Sequence, residues 1–267
     1  MKAITAIGIA CAFGALFVSA ILEGTNPVAF LNIPALILIT GGTAGATMAS
    51  TNFRAFMTAP KAAIMSFKGS SIDSATSIGL MVELSEKARR NGLLALEEDV
   101  AKVDDAYTRK GLQLVVDGTD SDLVAAILEA EVDGLAARHQ LVAGLFATAG
   151  GFAPTVGIIG TVMGLIHVLE NLAAPSTLGP AISGAFIATL YGVSSANLMF
   201  LPIGNKLKEM SSVEINHRMM ILDAILSIQA GDNPRVLFEK LEAFIAPADR
   251  GKNAEGGASS AELREAA

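Results

Sequence analysis

Positive charge is missing from two long intervals of this chain, and that absence constrains its fold more than any other feature. No lysine or arginine lies between Lys2 and Arg54, and none lies between Arg138 and Lys206. Within those gaps sit four apolar runs, over residues 3–22, 29–48, about 145–169 and 178–203, none containing Asp, Glu, Lys or Arg. Each approaches the ~20 residues that a helix needs to cross ~30 Å of hydrocarbon. Lipid offers the backbone no hydrogen-bond partner, so spans of this kind are helices. The expectation is an all-α, polytopic membrane protein with four transmembrane helices and a helical cytoplasmic domain.

The same partition sets a direction. All nineteen basic residues fall at the N-terminus, in the long segment 49–144, or after residue 205. Basic flanks stay on the cytoplasmic side, so the short connections 23–28 and 170–177 are expected outside, with both termini and the middle segment inside. Charged residues make up 17% of the chain, against roughly 25% in soluble domains, and the mean hydropathy is +0.52. The net charge of −7 argues against nucleic acid as a partner. Cys11 stands alone, so no disulfide framework or cysteine-based metal site is expected. Val18-Ser19-Ala20 resembles a signal-peptidase site, but the apolar run before it exceeds the usual 7–15 residues of a signal h-region, and an uncleaved first helix is expected.

The domain plan is two transmembrane helices in 1–50, a cytoplasmic helical region in 51–144, two more spans in 145–203, a cytoplasmic helical extension in 204–246, and a disordered polar tail in 247–267. In the cytoplasmic region, 53–68 interleaves Phe53, Phe56, Met57, Ile64, Met65 and Phe67 with Arg54, Lys61 and Lys68. It reads as an elbow at the inner surface, broken at Pro60. Ser71-Ile72-Asp73 opens a helix that Asn91-Gly92 stops. Further helices are expected over 93–107 and 121–140, the latter capped by Asp120 or Ser121 and running on into the third span. The fourth span should continue through Ile228 to a stop at Gly231, followed by a short helix over 234–245.

No nucleotide-binding loop, zinc-protease motif or serine elbow is present, and His139, His167 and His217 lie far apart in sequence. Nothing supports an enzyme. Gly160 and Gly164, like Gly41 and Gly45, place small residues one turn apart, which allows close helix packing. Polar groups gather in the last two spans, among them Thr155, Thr161, Thr189, Tyr191 and Asn197. A single hydroxyl can bond its own helix backbone, but Thr189 and Asn197, about two turns apart, suggest a polar lining. Ion paths usually retain an ionisable group inside the membrane. Any cation crossing here would need a carboxylate from another chain.

Pro154-Thr-Val-Gly-Ile-Ile-Gly-Thr-Val-Met-Gly-Leu165, Ala188-Thr-Leu-Tyr-Gly192, Asn197 and Leu201-Pro202 resemble the third and fourth spans of MotA/PomA flagellar stator subunits. Ala88-Arg-Arg-Asn-Gly-Leu-Leu-Ala-Leu-Glu-Glu98 resembles that family's cytoplasmic signature. The related ExbB/TolQ energisers share a stretch like GTVMGL, so the signature and the four spans together single out the stator branch.

That resemblance implies the following. Thr161 and Thr189 line the ion pathway, and a threonine at 161 is similar to sodium-driven members, although proton and sodium both remain open. Pro154 and Pro202 are the torque-coupling prolines. Arg89, Arg90, Glu97 and Glu98 face a FliG-type rotor switch protein, with an ordinary solvated helix face as the plainer alternative. A MotB/PomB-type subunit supplies the ion-binding Asp, and the chain forms a homo-oligomeric ring, a pentamer, in the bacterial cytoplasmic membrane. No cofactor is implied beyond the transported ion. The rival is an ExbB/TolQ-type energiser of envelope transport.

Overall fold

The computed structural model describes residues 4–69, 73–173, 175–245 and 247, and every regular element among them is helical. The tail expected to be disordered lies, apart from residue 247, outside the described residues, as do Ser71 and Ile72. Ten α-helices follow in order: α1 Ile4–Leu22, α2 Ile33–Ser50, α3 Phe53–Lys68, α4 Ser74–Asn91, α5 Glu97–Val100, α6 Ala106–Val116, α7 Ser121–Glu170, α8 Pro175–Ser195, α9 Leu201–Ala230 and α10 Pro234–Glu242. Four helical stretches among the described residues are long and apolar enough to cross a membrane: Ile4–Leu22, Pro27–Ser50, Ser121–Glu170 and Leu178–Ala230.

The chain divides into two compact units, one of residues 1–70 and 138–211, the other of residues 71–137 and 212–267. Helices α7 and α9 contribute to both. The unbroken 50-residue α7 agrees with the absence of any proline in it before Pro154.

In the first unit, Asn32 caps α2 by accepting from the Ala35 amide, and Asn52 caps α3 by accepting from the Arg54 amide. Only Thr51 and Asn52 separate those two helices. Helix α3 runs through Pro60 without the expected break. A proline there forfeits the bond to the Phe56 carbonyl, yet Ala55, Ala59 and Ser66 bury one side of the helix. Phe56 and Phe67 pack with Leu145, Phe146 and Ile203, and this burial outweighs one lost hydrogen bond. Gly41 and Gly45 are not the expected packing pair within the chain, since a methyl on either meets nothing within 4 Å. Gly42 takes that role, facing Val156.

The second unit is built on α4, α6, α10 and the portions of α7 and α9 that fall within it. Met81, Leu112, Leu128, Met220, Ile225, Ile228, Leu237 and Leu241 are fully buried there, each stabilising by about 1.5–3 kcal/mol relative to exposure. Asp73 caps α4 by accepting from the Ala75 and Thr76 amides. Gly92 ends that helix with φ 85°, a conformation that favours glycine, and Gly231 ends α9 in the same way with φ 74°.

The single helix expected over 93–107 is instead three pieces: a 3₁₀ turn Leu93–Leu96, the four-residue α5, and an irregular stretch to Asp105. The cause is local. Asp105 accepts from the Thr108 amide and hydroxyl, so it starts a new helix, α6, where the sequence reading placed the interior of an old one.

Candidate functional site

Helices α7 and α8 approach each other closely because glycines and alanines occupy most of their facing positions. A methyl at Gly157 would sit 3.0 Å from the Ala188 carbonyl oxygen, and one at Gly164 would sit 2.9 Å from the Ala185 Cα. Gly192 returns the contact, lying against the Ala153 carbonyl. Gly160 completes the row against the Ala188 methyl.

This approach brings Thr161 and Thr189 together. Their hydroxyls touch, Thr161 Oγ1 also lies 3.0 Å from the Ala185 carbonyl and 3.2 Å from that of Gly157, and Thr189 Oγ1 lies 3.3 Å from the Gly157 carbonyl. Two hydroxyl protons thus face more acceptors than they can serve at once. When both point at carbonyls, the two oxygens present only lone pairs to each other. When Thr161 donates to Thr189 instead, the Ala185 carbonyl is released. Rotation of two hydroxyls therefore switches the node between arrangements that differ in where acceptor oxygens are free. Oxygen donors of this kind suit a hard cation or a protonated water. Both threonines are half-buried.

The two prolines lie in segments that touch. Pro154 leaves the Gly150 carbonyl without its helical donor, and Gly150 is packed on Leu201, the neighbour of Pro202. Pro202 follows a π-helical turn, Ala196–Phe200, and offers that turn no backbone N–H. Wide turns of this type recur at functional sites. Asn197 lies in it, exposed, with its side-chain amide donating to the Val193 carbonyl. That bond uses one amide proton of Asn197.

Arg89 and Arg90 end α4, and Glu97 and Glu98 begin α5, all four exposed. Arg90 pairs with Glu86 at 2.6 Å, whereas Arg89, Glu97 and Glu98 form no ion pair among the described residues. The turn between the two helices is held by Lys87, 2.5 Å from Asp99. That hydrogen bond holds the Asp99 carboxyl below the usual carboxylate range.

The sequence profile of the MotA/TolQ/ExbB proton channel family matches residues 99–220. Motility protein A of Borreliella burgdorferi is 37% identical over 94% of this chain and 96% of its own length. The chemotaxis protein PomA of Vibrio alginolyticus is 32% identical over 92% of this chain and 96% of its own. The solved structure of the flagellar MotAB stator complex from Bacillus subtilis aligns with a TM-score of 0.87 at 36% identity, covering 93% of this chain and 98% of that chain. This chain belongs to the MotA/PomA stator family.

Within that family frame, two features escaped the sequence reading. Tyr191 donates to the Phe30 carbonyl and lies 3.4 Å from the Asn32 amide, tying α8 to the start of α2. A tyrosine in an apolar run announces a hydrogen bond but not its partner, 161 residues away. Gly157, the floor of the threonine node, bears no functional group by which a sequence could mark it, and its role shows only in its contact with the Ala188 carbonyl and the Thr189 Cα.

Proposed function

We propose that the chain is a flagellar stator subunit that joins a MotB/PomB-type partner to couple proton or sodium flow to torque on a rotor. The observation that carries this reading is the threonine node. Two hydroxyls and two backbone carbonyls meet between α7 and α8, within the stretches 145–169 and 178–203 that hold no formal charge. Such a node can solvate a cation in transit but cannot store its charge, so the partner supplies the carboxylate.

In this reading both termini and residues 51–144 face the cytoplasm, as the distribution of the basic residues supports. Copies of the chain form a ring, a pentamer, around the partner's spans. Neutralising the partner's aspartate changes which ring contact is favoured, and the work available is about 2.3 kcal/mol per charge per 100 mV. Pro154 and Pro202 release backbone bonds at packed segments, which suits a part that must shift by small steps. Arg89, Arg90, Glu97 and Glu98 present the charges to a FliG-type switch protein. Near-full-length matches to motility proteins favour this over an ExbB/TolQ-type energiser.

Co-reconstitution tests it. Vesicles holding this chain and the partner should pass protons or sodium, and vesicles with the chain alone should not. Equal conductance without the partner would overturn the reading.

A further inference from the structure

Helix α3 carries three stripes that run its length. Ala55, Ala59 and Ser66 are buried within the first unit. On the opposite side of the helix, Phe53, Met57 and Ile64 are 63%, 58% and 57% exposed. Arg54, Lys61 and Lys68 follow at seven-residue steps, all exposed, so two turns of helix separate each from the next. They fall on one face over roughly 21 Å at 1.5 Å per residue. No acidic residue occurs in the helix. None of the three cations forms an ion pair among the described residues.

A solvated helix face would mix signs and would not expose Phe53, Met57 and Ile64 in register beside the cations. The arrangement is what a bilayer boundary demands: one face seated on the bundle, the opposite face apolar for acyl chains, and beside that apolar face a cationic edge for headgroups. Continuity supports this, because α3 starts within two residues of the end of the span α2.

We propose that α3 is a recognition edge for anionic phospholipid headgroups, with Arg54, Lys61 and Lys68 taking the phosphates and Phe53, Met57 and Ile64 inserted among the acyl chains. The proposal rests on the topology given above, and it goes beyond it by making α3 selective for headgroup charge. The lipid clamps the inner end of α2 while other parts of the bundle shift.

The full complex with its partner, reconstituted in phosphatidylcholine vesicles containing a minority of phosphatidylglycerol and re-extracted in mild detergent, should retain phosphatidylglycerol above its bulk share. Arg54→Gln with Lys61→Gln and Lys68→Gln should return the ratio to bulk, with up to roughly fivefold loss of preference per cation. High salt should do the same to the wild type, which keeps the test available if the triple variant does not insert. A bulk ratio in the wild type, or enrichment unchanged in the variant, overturns the proposal. In a Cys11→Ser background, disulfide trapping of Met57→Cys with another protein chain would also overturn it, since protein would then cover the face. Lys61→Cys separates the two levels. Labelling from outside the cell by an impermeant maleimide would refute the topology, whereas protection combined with no enrichment would refute lipid recognition alone.

Discussion

Replacing Gly157 by alanine places a methyl carbon 3.0 Å from the Ala188 carbonyl oxygen and 3.2 Å from the Thr189 Cα, both backbone atoms that no side-chain rotation can move aside. Carbon contacts settle at about 3.5–4.0 Å, so α8 must retreat by roughly half an ångström at this level. Overpacking of this kind costs about 1–3 kcal/mol, partly offset by about 1 kcal/mol from alanine's better helix propensity. The chain should therefore still insert and fold. The retreat falls on the threonine node, however. The Thr189 contact to the Gly157 carbonyl, already 3.3 Å, passes beyond hydrogen-bond range, and the Thr161 contact to the Ala185 carbonyl at 3.0 Å reaches its limit. Ion flux through the reconstituted complex, measured with a proton- or sodium-sensitive dye, should drop several-fold with little change in expression. Gly45→Ala, whose methyl meets nothing within 4 Å, should leave flux unchanged. Wild-type flux in Gly157→Ala would show that the helix separation does not govern the node.

Thr189→Val keeps the shape and removes the hydroxyl, and loss of about 1 kcal/mol of hydrogen bonding should cut flux and swimming about fivefold with insertion intact on membrane fractionation. Arg89→Glu should reduce swimming speed while vesicle conductance stays at the wild-type level, because the residue is exposed in the second unit, which does not contain the threonine node. His217 is held below its usual range, first by burial and next by the Arg218 charge, with Asp105, Glu214 and Asp73 opposing. Its contribution to stability is full above the unfolded value near 6.5 and is lost as pH falls through the folded value. His217→Asn should therefore flatten the acid limb of a thermal-unfolding series followed by circular dichroism. Asp99→Asn removes the carboxylate that Lys87 grips, and hydrogen exchange over 93–100 should accelerate while α6 stays protected.

Much of the fold could be read because membrane insertion imposes a coarse rule that tolerates few exceptions. Charge-free runs of the right length marked the four candidate spans, and the absence of proline before Pro154 foretold the long α7. Where competing signals were local and comparable in strength, the reading failed. Pro60 looked like a break because a proline's cost is visible in sequence, whereas the burial of Ala55, Ala59 and Ser66 that overrides it is not. Asp105 looked like one more helical residue because an N-cap is recognised by the turn it closes, and the sequence does not show that turn.

The node was legible only in part, for a related reason. Thr161 and Thr189 were singled out through a family resemblance, while the residues that bring them together, Gly157 and Gly192, bear no functional group at all. What makes two ordinary threonines into a polar contact inside an apolar bundle is the missing Cβ on the opposite helix, which lets hydroxyl and carbonyl oxygens converge where only hydrocarbon would otherwise meet. A formal charge at that depth would cost about 2.5–3.5 kcal/mol on insertion and would hold a cation fast. Neutral oxygens avoid that cost and bind only weakly. On the function proposed above, the chain passes an ion on without keeping it, and the acidic group that arrests the ion long enough to do work belongs to the partner.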